Sequence, residues 1–215
     1  MPYKLPMNFV FQIAFFVFLA LLTRSVLGAD DALVFESDKV SVRATTVVAG
    51  LEHPWALAFL PNEEMLITER SGRLRWHENG KLHQVNGLPE ITAVRQGGLL
   101  DIVLHPNFVI NRTVCFSYSG AGERGVGTEI ACAEFNRGRL LDLRVIFRAV
   151  PKSKGGLHFG SRLLFGPDGH LYATLGERGV RPQAQNLGTH PGSVVRITDK
   201  GWVPHDNPFV DRKDA

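Results

Sequence analysis

A histidine and a glutamate lie at the two ends of a predicted β-hairpin. The apolar runs 163–165 and 171–175 predict two strands, and the sequence Gly-Pro-Asp-Gly at 166–169 between them is typical of a tight turn. His158 precedes the first run and Glu177 follows the second, so both side chains are expected at one end of the sheet. An imidazole beside a carboxylate can act as a general base with its orienting partner, and the alternative is a surface hairpin with a solvated histidine.

The strands that would carry these side chains belong to a recurring unit. It consists of an apolar run, a Pro-Asn or Pro-Asp turn and a second apolar run, and its three copies have their prolines at Pro61, Pro106 and Pro167. Spacings of 45 and 61 residues, with several short strands in each unit, are typical of propeller blades. An insertion at 145–156 would account for the longer spacing. The predicted fold class is all-β, a β-propeller, because a β-sandwich would use short strands without repeating this unit.

Glycine-rich loops precede the predicted inner strand of two blades. One loop contains Gln96 followed by two glycines, and the other is the segment 155–160 that carries His158. Glycine lets the backbone approach a flat ligand closely, and the Gln96 amide can both donate and accept hydrogen bonds. On the residues alone, a loop-capping amide is favoured over a ligand contact for Gln96.

Composition argues against one class of partner. The chain of 215 residues has 24 Lys and Arg against 21 Asp and Glu, and its basic residues are scattered rather than clustered. Nucleic-acid binding requires a basic stripe or patch, so the charge pattern gives it no support. The 22 glycines and 12 prolines among short apolar runs favour strands and turns over long helices.

The amino-terminal segment has the pattern of a secretory signal peptide. Residues 9–22 are almost uninterruptedly apolar, and the sequence at 26–28 offers a cleavage site. An uncleaved apolar run of this kind could instead approach a membrane span. Arg24 and the early return to polar sequence favour cleavage. We therefore expect a signal peptide at 1–28, a mature domain at 29–215 without a stable membrane anchor, and a periplasmic or secreted location.

An exported protein could bridge its two cysteines. Cys115 and Cys132 lie in predicted strands that a glycine-rich loop connects. If Ser119 faces Thr128 across this hairpin, Cys115 faces Cys132 as well, close enough for a disulfide. The alternative, two small buried hydrophobic residues, is favoured from the residues alone.

Four further motifs, together with the hairpin, resemble one enzyme family. They are His-Pro-Trp-Ala-Leu-Ala-Phe-Leu-Pro from His53, Leu-Ile-Thr-Glu-Arg-Ser-Gly-Arg-Leu from Leu66, Gln-Gly-Gly-Leu-Leu-Asp-Ile-Val-Leu-His-Pro from Gln96 and Val-Pro-His-Asp-Asn-Pro-Phe from Val203. They are similar to the soluble aldose dehydrogenases that use pyrroloquinoline quinone, often grouped as glucose/sorbosone dehydrogenases. The resemblance covers residues 47–210 and implies a six-bladed propeller, of which this chain covers the first half.

The resemblance implies roles for three of these side chains. In the similar enzymes a loop histidine takes the proton from the anomeric hydroxyl of an aldose while a hydride passes to the quinone, and His158 matches it. Glu177 matches an acidic residue that supports the histidine, and Gln96 matches a glutamine that contacts the cofactor or the substrate. The implied activity oxidises a small-molecule sugar and passes electrons to an external acceptor. Asp101 lies inside an apolar run, and we expect a structural hydrogen-bonding role for it.

The chain also departs from the family pattern. After the segment that matches 203–210, family members continue with calcium ligands and with basic residues that bind the carboxylates of the quinone. We expect the calcium ligands beyond residue 215 and no metal ligand within the chain, which is then an incomplete fragment of a dehydrogenase. Two other hypotheses remain, a non-catalytic propeller binding module and a calcium-dependent hydrolase of the sugar lactonase type. The hydrolase needs acidic and amide ligands that converge on a metal, and Glu177 is the one candidate found.

Overall fold

The computed structural model describes residues 32–212, which divide into two units between Val47 and Val48. The first unit contains an antiparallel hairpin of β1 (Leu33–Glu36) and β2 (Ser41–Ala44). The side chains of both strands are exposed. No helix in the described part of the chain is long and apolar enough to span a membrane.

The predicted signal peptide at 1–28 lies outside the described residues. Its cleavage, and the periplasmic or secreted location that follows from it, stay predictions. The predicted start of the mature domain at residue 29 stays a prediction for the same reason.

Three antiparallel sheets form the second unit, and in each the strands neighbour one another in chain order. The first blade contains β3 (Pro54–Phe59), β4 (Met65–Glu69), β5 (Arg73–Glu78) and β6 (Lys81–Val85). The second blade contains β7 (Leu99–Leu104), the short helix α1 (Phe108–Asn111), β8 (Thr113–Gly122), β9 (Gly125–Asn136) and β10 (Arg139–Arg148). The third blade contains β11 (Gly160–Phe165), β12 (Leu171–Leu175), a 3₁₀ helix (Arg181–Gln185) and β13 (Val194–Ile197). Successive meanders of this kind are propeller blades, which confirms the predicted all-β propeller class.

The first strand of each blade is the inner one. β7 lies beside both β3 and β11, so the three first strands are neighbours while the later strands of each blade extend outward. The loops that precede these strands therefore open at the same end of the unit. Gln96 and His158 both lie in such loops, as the glycine-rich segments predict.

The predicted hairpin of the third blade is confirmed. β11 and β12 pair antiparallel, with Leu163 opposite Ala173 and Phe165 opposite Leu171. In the turn, the Gly169 N–H donates to the Gly166 carbonyl oxygen at 3.0 Å. Gly169 has a φ of +77°, a left-handed conformation that glycine adopts without steric cost.

The longer spacing between the second and third prolines does not come from an insertion at 145–156. β8, β9 and β10 have 10, 12 and 10 residues, against 5, 6 and 5 for β4, β5 and β6. The connection from β10 to β11, residues 149–159, is shorter than the one from β6 to β7, residues 86–98. The prediction of an insertion was wrong because the strands of the second blade are themselves longer. β8 pairs with β9 along its whole length.

Apolar clusters fill the two interfaces between blades. The first cluster includes Leu66 of the first blade and Phe116 of the second, and the second cluster joins Ile130 of the second blade to Leu171 of the third. Side chains along a strand point alternately to the two faces of a sheet. For this reason Ile102 of β7 packs in the first cluster whereas its neighbour Val103 packs against the second.

A disulfide joins Cys115 on β8 to Cys132 on β9, with the two Cα atoms 4.1 Å apart. Ser119 faces Thr128 in the same strand pair, so the register predicted for this hairpin is confirmed. Both cysteines are buried in the second apolar cluster. The structure therefore has the bridge that the residues alone did not favour.

Buried hydroxyl groups also connect neighbouring blades. Thr68 on β4 donates to the Leu100 carbonyl oxygen on β7 at 2.6 Å, and Ser117 on β8 donates to the Ser161 carbonyl oxygen on β11 at 2.8 Å. Both donors are fully buried. A carbonyl oxygen left without a partner at such a depth would destabilise the fold, so these bonds help to hold the blades in place.

Candidate active site

His158 and Glu177 are brought together by the hairpin that separates them in sequence. Gly160, at the start of β11, pairs with Leu175, at the end of β12, so the residues just outside this pair are neighbours. His158 Nδ1 lies 2.5 Å from Glu177 Oε1. With Nδ1 donating to the carboxylate, Nε2 is the basic nitrogen of the neutral ring. The imidazole is exposed at the end of the sheet, where a ligand can reach it.

The Glu177 carboxylate is held in its ionised form. The hydrogen bond from His158 lowers the pKa of Glu177 below its usual range. The Gly179 N–H also donates to Glu177 Oε1, at 3.2 Å. A carboxylate that is charged at neutral pH fixes the orientation of the imidazole through the hydrogen bond from His158.

Gln96 connects the loop of the second blade to the loop that carries His158. Its side-chain oxygen accepts a hydrogen bond from the His158 backbone N–H at 2.8 Å. Its own backbone N–H donates to the Gly156 carbonyl oxygen at 3.0 Å. The amide oxygen thus caps the neighbouring loop, which confirms the predicted loop-capping amide, and the side-chain NH₂ group can donate to a ligand.

Arg178 supports the His158 loop from inside the protein, a role that the sequence motifs do not indicate. Its guanidinium donates to the carbonyl oxygens of Leu157 and Gly155 and stacks on the ring of Phe159, with Cζ 3.5 Å from the ring centroid. Burial lowers the pKa of Arg178 to about 10, so the group remains protonated at neutral pH. In the sequence, glycines at 176 and 179 flank Glu177 and Arg178. No local pattern shows which of these two side chains points into the protein.

The close approach of two backbone segments requires glycine at position 176. A Cβ atom there would lie 1.9 Å from the His158 carbonyl oxygen, which is well inside van der Waals contact. Any side chain at Gly176 would push the His158 loop away from β12. This glycine therefore keeps His158 within reach of Glu177.

Side chains of all three blades line a cleft of about 420 Å³ beside the histidine. The Arg70 and Arg95 guanidinium groups give the cleft a positive charge, and Arg70 also donates to the Arg95 carbonyl oxygen. The cleft thus combines a base, an amide and two cations, a set suited to a polar, anionic ligand. Its lining residues are Trp55, Arg70, Arg95, Gln96, Leu100, His158, Phe159 and Gly160.

Asp101 has the structural contacts that its position in an apolar run predicts. The side chain is buried, and it accepts hydrogen bonds from the Leu163 backbone N–H at 2.7 Å and from Arg162 Nη1 at 2.9 Å. Arg162 in turn lies over the Trp55 ring, with Cζ 4.9 Å from its centroid. Among residues 32–212, no group of three or more His, Cys, Asp or Glu side chains is placed to hold a metal ion.

Comparisons with known proteins give a consistent result. Residues 51–215 match the family model described as glucose/sorbosone dehydrogenase. The chain is 45% identical over 171 residues to the aldose sugar dehydrogenase YliI of Escherichia coli, covering 77% of this chain and 46% of that protein. The chain thus spans about half the length of the curated relatives it matches. Its match to another relative, from Synechocystis, covers 48% of that protein.

Two solved structures have the same architecture. The crystal structure of the soluble aldose sugar dehydrogenase from Escherichia coli in the apo form matches with a TM-score of 0.73 and 44% identity, over 77% of this chain and 49% of that one. The PQQ-bound form of the aldose sugar dehydrogenase from Streptomyces coelicolor matches with a TM-score of 0.70 and 30% identity, over 77% of this chain and 50% of that one.

Proposed function

This chain belongs to the glucose/sorbosone dehydrogenase family, and we propose on that premise that it oxidises aldose sugars at the anomeric carbon with pyrroloquinoline quinone as cofactor. The observation that carries the proposal is the 2.5 Å contact between His158 and Glu177 at the edge of a cationic cleft. The PQQ-bound relative supports the choice of cofactor, and the relatives named as aldose sugar dehydrogenases support the choice of substrate.

In the proposed mechanism the chain itself supplies the base. His158 Nε2 takes the proton of the anomeric hydroxyl, and the Glu177 carboxylate stabilises the imidazolium that results. The hydride leaves from the anomeric carbon and needs a two-electron acceptor. The quinone supplies this chemistry when bound. Loss of one proton and one hydride converts the cyclic aldose into its lactone. An external electron acceptor then has to reoxidise the cofactor.

The cleft residues fit part of such a cofactor. A planar quinone with carboxylate groups needs cations and hydrogen-bond donors, which Arg70, Arg95 and Gln96 provide. We propose that these three side chains contact the quinone from the second and first blades. No step is assigned to calcium, whose ligands were predicted beyond residue 215 and stay a prediction.

We also propose an extracytoplasmic location. The signal-peptide pattern at 1–28 supports it, and so does the disulfide between Cys115 and Cys132, because such bridges persist in oxidising compartments. The protein would then bind its sugar substrate outside the cytoplasm.

The test is reduction of an acceptor dye by an aldose, with and without added quinone and calcium. We expect turnover that depends on the quinone, and a loss of about 10²- to 10⁴-fold in kcat for His158→Ala, the range for removal of a general base. His170→Ala is the matched control, because His170 lies at the opposite end of the same hairpin, where it contacts Asp168.

Three results would contradict the proposal. Equal losses of kcat in His158→Ala and His170→Ala would show that His158 is not the base. Lactone hydrolysis without quinone would support the hydrolase hypothesis instead. A folded protein with neither activity would support the binding-module hypothesis.

A further inference from the structure

The hairpin of β8 and β9 in the middle blade extends past the inner strand at the end of the blade where the cleft lies. The Ser119 N–H donates to the Gly98 carbonyl oxygen at 2.9 Å, just before β7 begins. Beyond this bond the two strands continue as a pair until Gly122 faces Gly125. The turn between them, Glu123 and Arg124, is exposed. Part of the extra length of β8 and β9 therefore forms a hairpin tip beside the loops of the site.

The segment that leads into the His158 loop is bound to this hairpin tip. The Val126 N–H donates to the Ser153 carbonyl oxygen at 2.8 Å, and the Ser153 N–H donates back to the Val126 carbonyl oxygen at 3.1 Å. Lys152 Nζ donates to the carbonyl oxygens of Gly120 at 3.1 Å and Ala121 at 2.6 Å. Because these bonds reach both strands of the hairpin, the tip and the start of the His158 loop form one continuous surface.

Four basic side chains follow this surface from the hairpin tip to the cleft. Arg124 lies in the tip, and Lys154 follows the segment bound to it; both are exposed. Arg95 packs against the His158 loop, since a Cβ atom added at Gly156 would lie 2.9 Å from Arg95 Cδ. Arg70 donates to the Arg95 carbonyl oxygen. Within residues 32–212 none of these four cations forms an ion pair, and we call them the cationic band.

Negative charge is scarcer than positive charge along this surface. Glu90 and Glu123 are exposed carboxylates of the same loops, and they offset the cationic band only in part. At the opposite end of the blades, charges neutralise one another more closely. There Arg196 forms ion pairs with Asp168 at 2.9 Å and with Asp206 at 2.7 Å. The surface beside the cleft is therefore positively charged.

We propose that an acidic electron-carrier protein docks on the cationic band and is the external acceptor of the enzyme. The inference rests on the proposed sugar oxidation, which releases two electrons and two protons for each lactone formed. The oxidised carrier accepts the two electrons, in successive encounters where it carries one at a time, and the protons pass to water. An uncharged aldose gains nothing from a net charge, and Arg124 and Lys154 lie outside the cleft lining. The band therefore fits a larger anionic partner, which it would steer towards the cleft.

The experiment compares three acceptors during oxidation of a neutral aldose by the quinone-loaded protein. They are an acidic blue-copper protein, a basic c-type cytochrome and an uncharged dye. We expect the acidic carrier to have the higher kcat/KM of the two proteins, and this value to fall as the ionic strength rises.

The charge-reversal variant Arg124→Glu with Lys154→Glu tests the band itself. At low ionic strength we expect it to lower kcat/KM for the acidic carrier roughly tenfold or more, and to leave reduction of the dye unchanged. Arg137→Glu is the matched control, because Arg137 is an exposed cation in the turn between β9 and β10, at the opposite end of the blade. Binding of the acidic carrier to each variant, measured by surface plasmon resonance, gives a second readout that does not depend on turnover.

The dye separates failure of this inference from failure of the proposed function. If wild type does not reduce the dye, the proposed sugar oxidation is wrong and the docking surface falls with it. If the dye is reduced, equal kcat/KM values for the acidic and the basic carrier would overturn the docking surface alone. Equal effects of the double variant and of Arg137→Glu would do the same. Circular dichroism and thermal unfolding show whether each variant folds, and if the double variant does not, Arg124→Gln with Lys154→Gln replaces it.

Discussion

The imidazole of His158 has a defined orientation because both its ring and its backbone are held by hydrogen bonds. Nδ1 faces an ionised carboxylate at 2.5 Å, and the backbone N–H of the same residue is held by Gln96 at 2.8 Å. If His158 acts as the proposed base, it needs no rearrangement before it accepts a proton, and such preorganisation favours catalysis. The carboxylate also makes a contribution to stability that depends on pH.

We expect wild type to be more stable than Glu177→Gln at neutral pH and the difference to disappear in acid. The folded pKa of Glu177 is lowered, chiefly by the hydrogen bond from His158. The stabilisation is therefore present above the unfolded pKa, about 4.3, and is lost as the pH falls through the lower folded value. Urea unfolding of both proteins at several pH values measures it, with Glu123→Gln at an exposed turn as the control. A difference that did not change with pH would contradict the assignment.

The His158 loop is an example of an irregular element held by its neighbours. Arg178 bonds two of its carbonyl oxygens from below, Gln96 bonds it from the next blade, and Gly176 allows it to lie against β12. Loops of this kind have little regular secondary structure of their own, so their geometry depends on such contacts.

Arg178→Met is expected to loosen this loop. The change leaves the Leu157 and Gly155 carbonyl oxygens without their donor, and we expect it to lower the free energy of unfolding by about 1–3 kcal/mol. Backbone amides of the loop should exchange faster with deuterium, while those of β8 and β9 should not. Arg181→Met, at an exposed position of the 3₁₀ helix, is the control. Unchanged exchange in the loop would show that Arg178 does not position it.

At the scale of the whole molecule, the blades are joined by apolar clusters and by hydroxyl-to-carbonyl bonds. The clusters are non-directional, whereas each hydroxyl accepts one hydrogen bond from its own blade and donates one to the next. Directional bonds of this kind specify the register between blades, which apolar contacts alone specify less well. The same bonds place the loops of different blades around one cleft.

Ser117→Ala tests the importance of these bonds. It leaves the buried Asp101 N–H and the Ser161 carbonyl oxygen without partners, so we expect the free energy of unfolding to fall by about 1–3 kcal/mol. Ser71→Ala at an exposed position is expected to change it by less than about 0.5 kcal/mol. Chemical unfolding measures both values, and equal effects would contradict a structural role for Ser117.

The local features of the fold were predicted from local patterns. The turn at 166–169, the pairing of Cys115 with Cys132 and the strand–turn–strand units all follow from turn residues and alternation, which act over a few residues. The extra length of β8 to β10 was not predicted, because an extended hairpin and an insertion lengthen the spacing between prolines equally. The sequence did not decide whether the disulfide forms, for a related reason. Strand register shows that two cysteines face each other, but it does not show whether they are oxidised.

Three features follow from the residues alone: the all-β class, the hairpin that brings His158 beside Glu177, and the position of Gln96 in a loop before an inner strand. These depend on contacts between residues that are close along the chain or joined by a tight turn. The folded molecule was needed to show that Arg178 lies buried beneath the site, that Gln96 bonds the His158 backbone, and that buried hydroxyl groups donate to the next blade. Such contacts join residues far apart in sequence, and they exist only once the blades have packed and removed the groups from water.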